Sequence, residues 1–142
     1  MLDRVTVFIV EDDQLLASAL SVQIEMLGYS VIGIATSQQA AVEVVLTQGP
    51  DIAIMDVNLE GGGSGLEAAN IIRRRRDVPI IFYTAYGDES FRRQIETLSH
   101  TQLLQKPASD EALEEALISA KRSRHCENEL PALRLLPSPA PG

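Results

Sequence analysis

The sequence predicts a three-layer α/β sandwich, with a doubly wound, five-stranded parallel sheet carrying helices on both faces. Three observations predict it. Five short, apolar, β-rich runs recur along the 142 residues, each separated from the next by a segment of helical character. The first of them, Val5–Val10, is nearly all apolar, as a strand buried on both faces should be. Charged or hydroxyl-bearing residues fall at the ends of four of the five, and the carboxyl ends of the strands are where such sheets bind ligands.

The first strand is Val5–Val10, nearly all apolar and rich in β-branched residues. A helix is expected from Asp13 to Leu27, with Leu16, Leu20, Ile24 and Leu27 on one stripe and Gly28 as its stop. Ser30–Ala35 reads as the second strand, and Ser37 is suited to cap a helix carrying Ala41, Val44 and Val45, which Gly49-Pro50 ends. Ile52–Met55 is the third strand. A glycine-rich stretch, Gly61–Gly65, reads as a flexible connection to a helix over about Leu66–Arg76. Pro79 opens a fourth strand, Ile80–Thr84. A weak helix is expected over Glu89–Leu98 with Phe91, Ile95 and Leu98 as anchors, then a short fifth strand, Gln102–Gln105. Ser109 starts the last helix, with Asp110 and Glu111 in its first turn, and it is expected to end near Ser123.

This divides the chain into a domain over residues 1–124 and a tail over 125–142. Four of its seven prolines lie between Pro131 and Pro141, which argues against a helix beyond about Asn128. The tail reads as a mobile segment or a packing or dimer arm. A net charge of −8 argues against nucleic-acid binding as the main role. No apolar run reaches the length of a membrane span and no signal peptide is visible, so a cytoplasmic protein is expected. The single cysteine, Cys126, excludes an internal disulfide and fits a reducing compartment.

The candidate site lies at the strand ends. Glu11 and Asp12 follow the first strand, and two carboxylates there repel unless a cation offsets them. Either they cap the following helix, a role that suits Asp13, or they bind a hard divalent ion such as Mg²⁺. Asp56, after the third strand, is a solvated loop acid or a candidate nucleophile toward a phosphoryl group, and Asn58 offers a backbone carbonyl to the same metal. Thr84 and Lys106 each read singly as structural or surface residues. Together with the acids they supply the hydroxyl and ammonium that phosphoryl oxygens require. The Gly61–Gly65 stretch lacks a following Lys-Ser/Thr and is not a phosphate-binding loop. Arg73–Arg76 reads as a solvated helix end, and the separate His100 and His125 support neither a metal cluster nor a phosphohistidine.

The set Val10-Glu11-Asp12-Asp13, Asp56 with Asn58, Gly65, Thr84-Ala85 and Lys106-Pro107 resembles the response-regulator receiver domain of bacterial two-component signalling, over residue 4 to about 122. The resemblance implies a flavodoxin-like fold with strand order 2-1-3-4-5 and Asp56 as phosphoacceptor. It implies Mg²⁺ held by Glu11, Asp12, Asp56 and the Asn58 carbonyl, with Thr84 and Lys106 engaging the phosphoryl group. The donor it implies is a sensor histidine kinase phosphohistidine, with slow hydrolysis to follow. Four departures stand out. Glu60 replaces a usual proline in a loop one residue longer, Ser99-His100 replaces Gly-Ala, Leu103 replaces an aromatic three residues before the lysine, and Ala108 replaces the aromatic after Lys-Pro. The Phe82–Gly87 segment is similar to the Phe-Ala-Thr-Gly signature of a receiver subgroup common in alphaproteobacteria, in which the strand-five aromatic is also missing.

The expected function is therefore a stand-alone phosphoryl-accepting regulator, not an enzyme acting on a substrate. Its output is through an unknown downstream protein, a homodimer, or removal of phosphate from a shared kinase, with Tyr86 and Leu103 as the residues modulating the switch. One rival is a receiver-like binding module that works without phosphorylation. A second is a Mg²⁺-dependent phosphohydrolase of the haloacid-dehalogenase type, whose DxDx(T/V) pattern Glu11-Asp12-Asp13-Gln14-Leu15 does not match.

Overall fold

Apolar alternation builds two cores, one on each side of a single sheet. A computed structural model describes residues 4–59, 63–85 and 89–135. The elements are β1 (Thr6–Val10), α1 (Gln14–Met26), β2 (Ser30–Ala35), α2 (Gln38–Gln48), β3 (Ile52–Met55), β4 (Asn58–Leu59), β5 (Gly63–Ser64), α3 (Gly65–Arg73), β6 (Ile80–Thr84), α4 (Glu89–Glu96), β7 (Thr101–Gln105) and α5 (Asp110–Leu135). The five longer strands pair in parallel in the order β2-β1-β3-β6-β7, the expected doubly wound topology. Along the strands, Phe8, Val10, Ala53, Met55, Ile80 and Phe82 face α2, α3 and α4. Their neighbours Val7, Ile9, Ile52, Ile54 and Ile81 face α1 and α5. Period-two alternation with apolar residues on both faces is what a sheet buried between helix layers requires.

The helix boundaries follow their caps. Asp13 Oδ1 accepts the Leu15 and Leu16 amides at 3.0 and 3.1 Å, and Ser37 Oγ accepts the Ala40 amide at 3.2 Å. Gly49, at φ +58°, closes α2 in the left-handed region. On α4, which ends at Glu96 and not at Leu98, Ile95 is buried and Phe91 packs on the same core, as does Leu98 in the turn that follows. The Phe91 ring meets Phe82 edge-on at 5.7 Å.

Four sequence expectations are corrected. Leu16 does not belong to the buried stripe of α1: it is 47% exposed, and Ala17 takes its place beside Leu20 and Ile24. In the first turn of the helix, Leu16 lines the open cleft at the strand ends instead of packing under the sheet. Second, the Gly61–Gly65 stretch is not simply a flexible connection, because Asn58–Leu59 pairs antiparallel with Gly63–Ser64. Third, α5 passes both Ser123 and Asn128 and continues through Pro131 to Leu135. One proline deletes a single helix hydrogen bond, and the surrounding Glu129, Leu130, Ala132, Leu133, Arg134 and Leu135 are strong helix formers. The remainder of the tail, 136–142, lies outside the described residues.

Fourth, the arginine run is not uniformly solvated. Arg74, Arg75 and Arg76 are exposed, but Arg73 donates to the carbonyls of Val78 at 2.8 Å, Arg76 at 3.1 Å and His100 at 3.4 Å. It ties the end of α3 to the entries of β6 and β7. Arg73→Ala is therefore expected to cost about 1–3 kcal/mol in urea unfolding, whereas alanine at Arg74, Arg75 or Arg76 stays within about 0.5 kcal/mol. Equal effects at all four positions would remove the distinction.

Candidate functional site

The carboxyl ends of β1, β3, β6 and β7 converge, and each carries its chemistry just past the last apolar residue. Backbone pairing continues beyond the strands: the Glu11 amide donates to Ala35 O, the Asp56 amide to Val10 O, and the Lys106 amide to Thr84 O, each at 2.9 Å. These bonds hold side chains separated by up to 95 positions on one rim. Glu11, Asp12, Asp13, Leu16, Asp56, Asn58, Thr84, Ala85 and Lys106 line an open cleft of about 360 Å³.

One ammonium bridges two carboxylates in it. Lys106 Nζ donates to Glu11 Oε1 at 2.6 Å and to Asp56 Oδ2 at 2.9 Å. Ligand oxygens of Glu11, Asp12 and Asp56 lie within 4.8 Å of one another. Three close carboxylates against one ammonium leave an excess of negative charge, and an all-oxygen donor set suits a hard divalent cation. Burial pushes the Glu11 carboxyl above its ordinary range, although the Lys106 hydrogen bond and the Asp13 amide at 3.1 Å draw it down. Burial alone would lower the Lys106 ammonium, but its hydrogen bonds to Glu11 and Asp56 outweigh that and hold it above its ordinary value.

The expected residues Glu11, Asp12, Asp56, Asn58, Thr84 and Lys106 thus meet in one cleft. Thr84 is buried, and the Asn58 amide donates to Asp56 Oδ1 at 3.3 Å. Leu103 is half-buried on β7, in register with Phe82 and packed on the α2–α4 side of the sheet. Tyr86 lies outside the described residues.

Two contributors were not legible as such. Gly65 packs so closely that a Cβ would stand 1.9 Å from the Asp56 carbonyl oxygen, so α3 can start beside the Asp56 backbone only from a glycine. Gln38, at the start of α2, accepts the Ser64 amide at 3.0 Å and braces the β4–β5 hairpin from across the chain. Nothing local marks either contact.

The response regulator receiver domain family model matches residues 7–118, and the chain belongs to that family. It is a receiver domain of two-component signalling. Among its relatives is the phyllosphere-induced regulator PhyR of Methylorubrum extorquens, 38% identical over 83 residues, or 58% of this chain and 31% of that protein. The chain thus spans about a third of this curated relative's length. The signal receiver domain of a modulated diguanylate cyclase from Desulfovibrio desulfuricans superposes with a TM-score of 0.80 at 32% identity, covering 88% of this chain and 99% of that one. The anti-anti-sigma factor PhyR of Bartonella quintana superposes with a TM-score of 0.68 at 30% identity, covering 89% and 51%. Among the described residues, no helix is long and apolar enough to cross a membrane.

The charge balance makes a pH-dependent prediction. A carboxyl whose folded-state pKa is raised favours the fold while protonated and loses that contribution as pH climbs through the folded value. Removing the ammonium raises Glu11 further. Lys106→Met in chelator should therefore be destabilised by about 1–3 kcal/mol at about pH 7 and by much less at about pH 4. Urea unfolding at the two pH values checks it; a pH-independent deficit would show that Lys106 acts through packing.

Proposed function

We propose that Asp56 accepts a phosphoryl group from the phosphohistidine of a sensor histidine kinase. The observation that carries this reading is the placement of one ammonium between two carboxylates at the joined strand ends, with the Thr84 strand end beside them. Asp56 supplies the nucleophilic oxygen. As its bond to phosphorus forms, the phosphorus–nitrogen bond to the donor imidazole breaks and the electron pair leaves with the ring. Lys106, already hydrogen-bonded to Asp56, neutralises one phosphoryl oxygen, and the Thr84 hydroxyl donates to another. The Glu11, Asp12 and Asp56 carboxylates with the Asn58 carbonyl are the residues that would hold Mg²⁺. When bound, that ion supplies the remaining positive charge for the phosphoryl oxygens. Hydrolysis of the acyl phosphate returns the protein to its resting state.

The output is a protein contact. The net charge of −8 disfavours a nucleic-acid surface, and the Bartonella neighbour is described as an anti-anti-sigma factor. The contact is with a downstream protein, with a second copy of the chain, or with the kinase from which the domain drains phosphate.

Incubation with acetyl phosphate and Mg²⁺, followed by intact-mass measurement, is expected to give a single phosphoryl adduct. The adduct should be absent in Asp56→Asn and strongly reduced in EDTA. An adduct that persists in the variant, or forms fully without the metal, would overturn the assignment. No adduct from either acetyl phosphate or a phosphorylated kinase would favour a phosphorylation-independent binding module.

A further inference from the structure

The Lys106 ammonium ends a long, rotamer-rich side chain, and its two carboxylate partners do not by themselves explain how the loop carrying it is held. The sequence offers no aromatic at position 103 or 108 to do so. The neighbouring strand does. Tyr83, on β6, faces the α1–α5 side of the sheet, and Lys106 Nζ stands 5.6 Å from its ring centroid. The Tyr83 hydroxyl accepts the Ala108 amide at 3.0 Å, two residues past the lysine. The Ala108 carbonyl accepts from Gln23 Nε2 at 3.4 Å, and the same Gln23 nitrogen donates to Asp110 Oδ1 at 2.6 Å. A chain of contacts thus runs from the cleft lysine through Tyr83 to the start of α5 and to Gln23 on α1.

We propose that Tyr83 is the positioning residue for Lys106: its ring caps the ammonium, and its hydroxyl pins the loop that carries the lysine past β7. The two halves are separable. Phenylalanine keeps the ring and loses the pin; leucine loses both. The role in phosphoryl acceptance rests on Asp56 being the acceptor, whereas the contacts to Lys106 and Ala108 do not.

Tyr83→Phe and Tyr83→Leu in the 142-residue chain are compared with the unsubstituted chain by NMR and by the rate of phosphorylation from acetyl phosphate with Mg²⁺. Tyr83→Met replaces the leucine variant should that one not fold. Tyr83→Leu should lose the ring-current shift of the Lys106 ε-methylene and accept phosphoryl about three- to thirtyfold more slowly. Tyr83→Phe should keep that shift, accept at a rate within about threefold of the parent, and exchange its Ala108 amide faster. Unmoved Lys106 resonances in the leucine variant, or an Ala108 amide equally protected in the phenylalanine variant, would overturn the proposal. Should the unsubstituted chain take no phosphoryl group, the assignment of Asp56 fails while the resonances of Lys106 and Ala108 still decide the role of Tyr83.

Discussion

The pairing of Lys106 with Glu11 and Asp56 is the constraint around which the carboxyl edge of the sheet is organised. Glu11 is 4% exposed, so its carboxylate has given up most of its water and depends on protein partners. It finds two, the Lys106 ammonium and the Asp13 amide. Asp56 shares the same ammonium, and Asp12 adds a third acid nearby. One ammonium cannot balance three carboxylates. Holding them together stores an electrostatic preference for added positive charge.

The apolar sheet makes this arrangement rigid. Val7–Val10, Ile52–Met55 and Ile80–Phe82 are essentially inaccessible to solvent, and their side chains interlock with helices on both faces. A charge carried one residue beyond such a strand inherits the position of the strand. The Lys106 amide bond to the Thr84 carbonyl shows this most directly, since it locks the ammonium-bearing and hydroxyl-bearing strand ends side by side. On the third strand the constraint is steric: Gly65 lies against the Asp56 carbonyl, and Gln38 steadies the hairpin beyond it.

Family membership does not make the site generic. Where the family pattern carries an aromatic three residues before the lysine, this chain has Leu103, which lies on the α2–α4 side of the sheet and has no hydroxyl. The phenol near the cleft comes from β6 instead, through Tyr83, on the opposite side. From Tyr83 the contacts pass through Ala108 to Gln23 on α1, which also holds Asp110 at the start of α5. On the other side, Phe91 on Phe82 anchors α4 to the strand that ends in Thr84.

The sequence by itself determined the layer architecture, the helix caps at Asp13 and Ser37, and the set of acids, hydroxyl and ammonium at the strand ends. All of these follow from local periodicity, from capping chemistry, or from a charge immediately after an apolar run. Where local signals compete, the sequence was ambiguous. Leu16 fits an apolar stripe as well as Ala17, and Pro131 is a helix breaker among strong helix formers. The Arg73–Arg76 run shows no difference among its members until β6 and β7 bring carbonyls to Arg73 alone. Locally, Tyr83 is marked only as one residue of the fourth strand, Ile80–Thr84. That its ring meets Lys106 and its hydroxyl meets Ala108 was decided by the parallel register of β6 and β7, because contacts between residues 23 to 25 positions apart depend on how strands align and not on what either segment prefers locally.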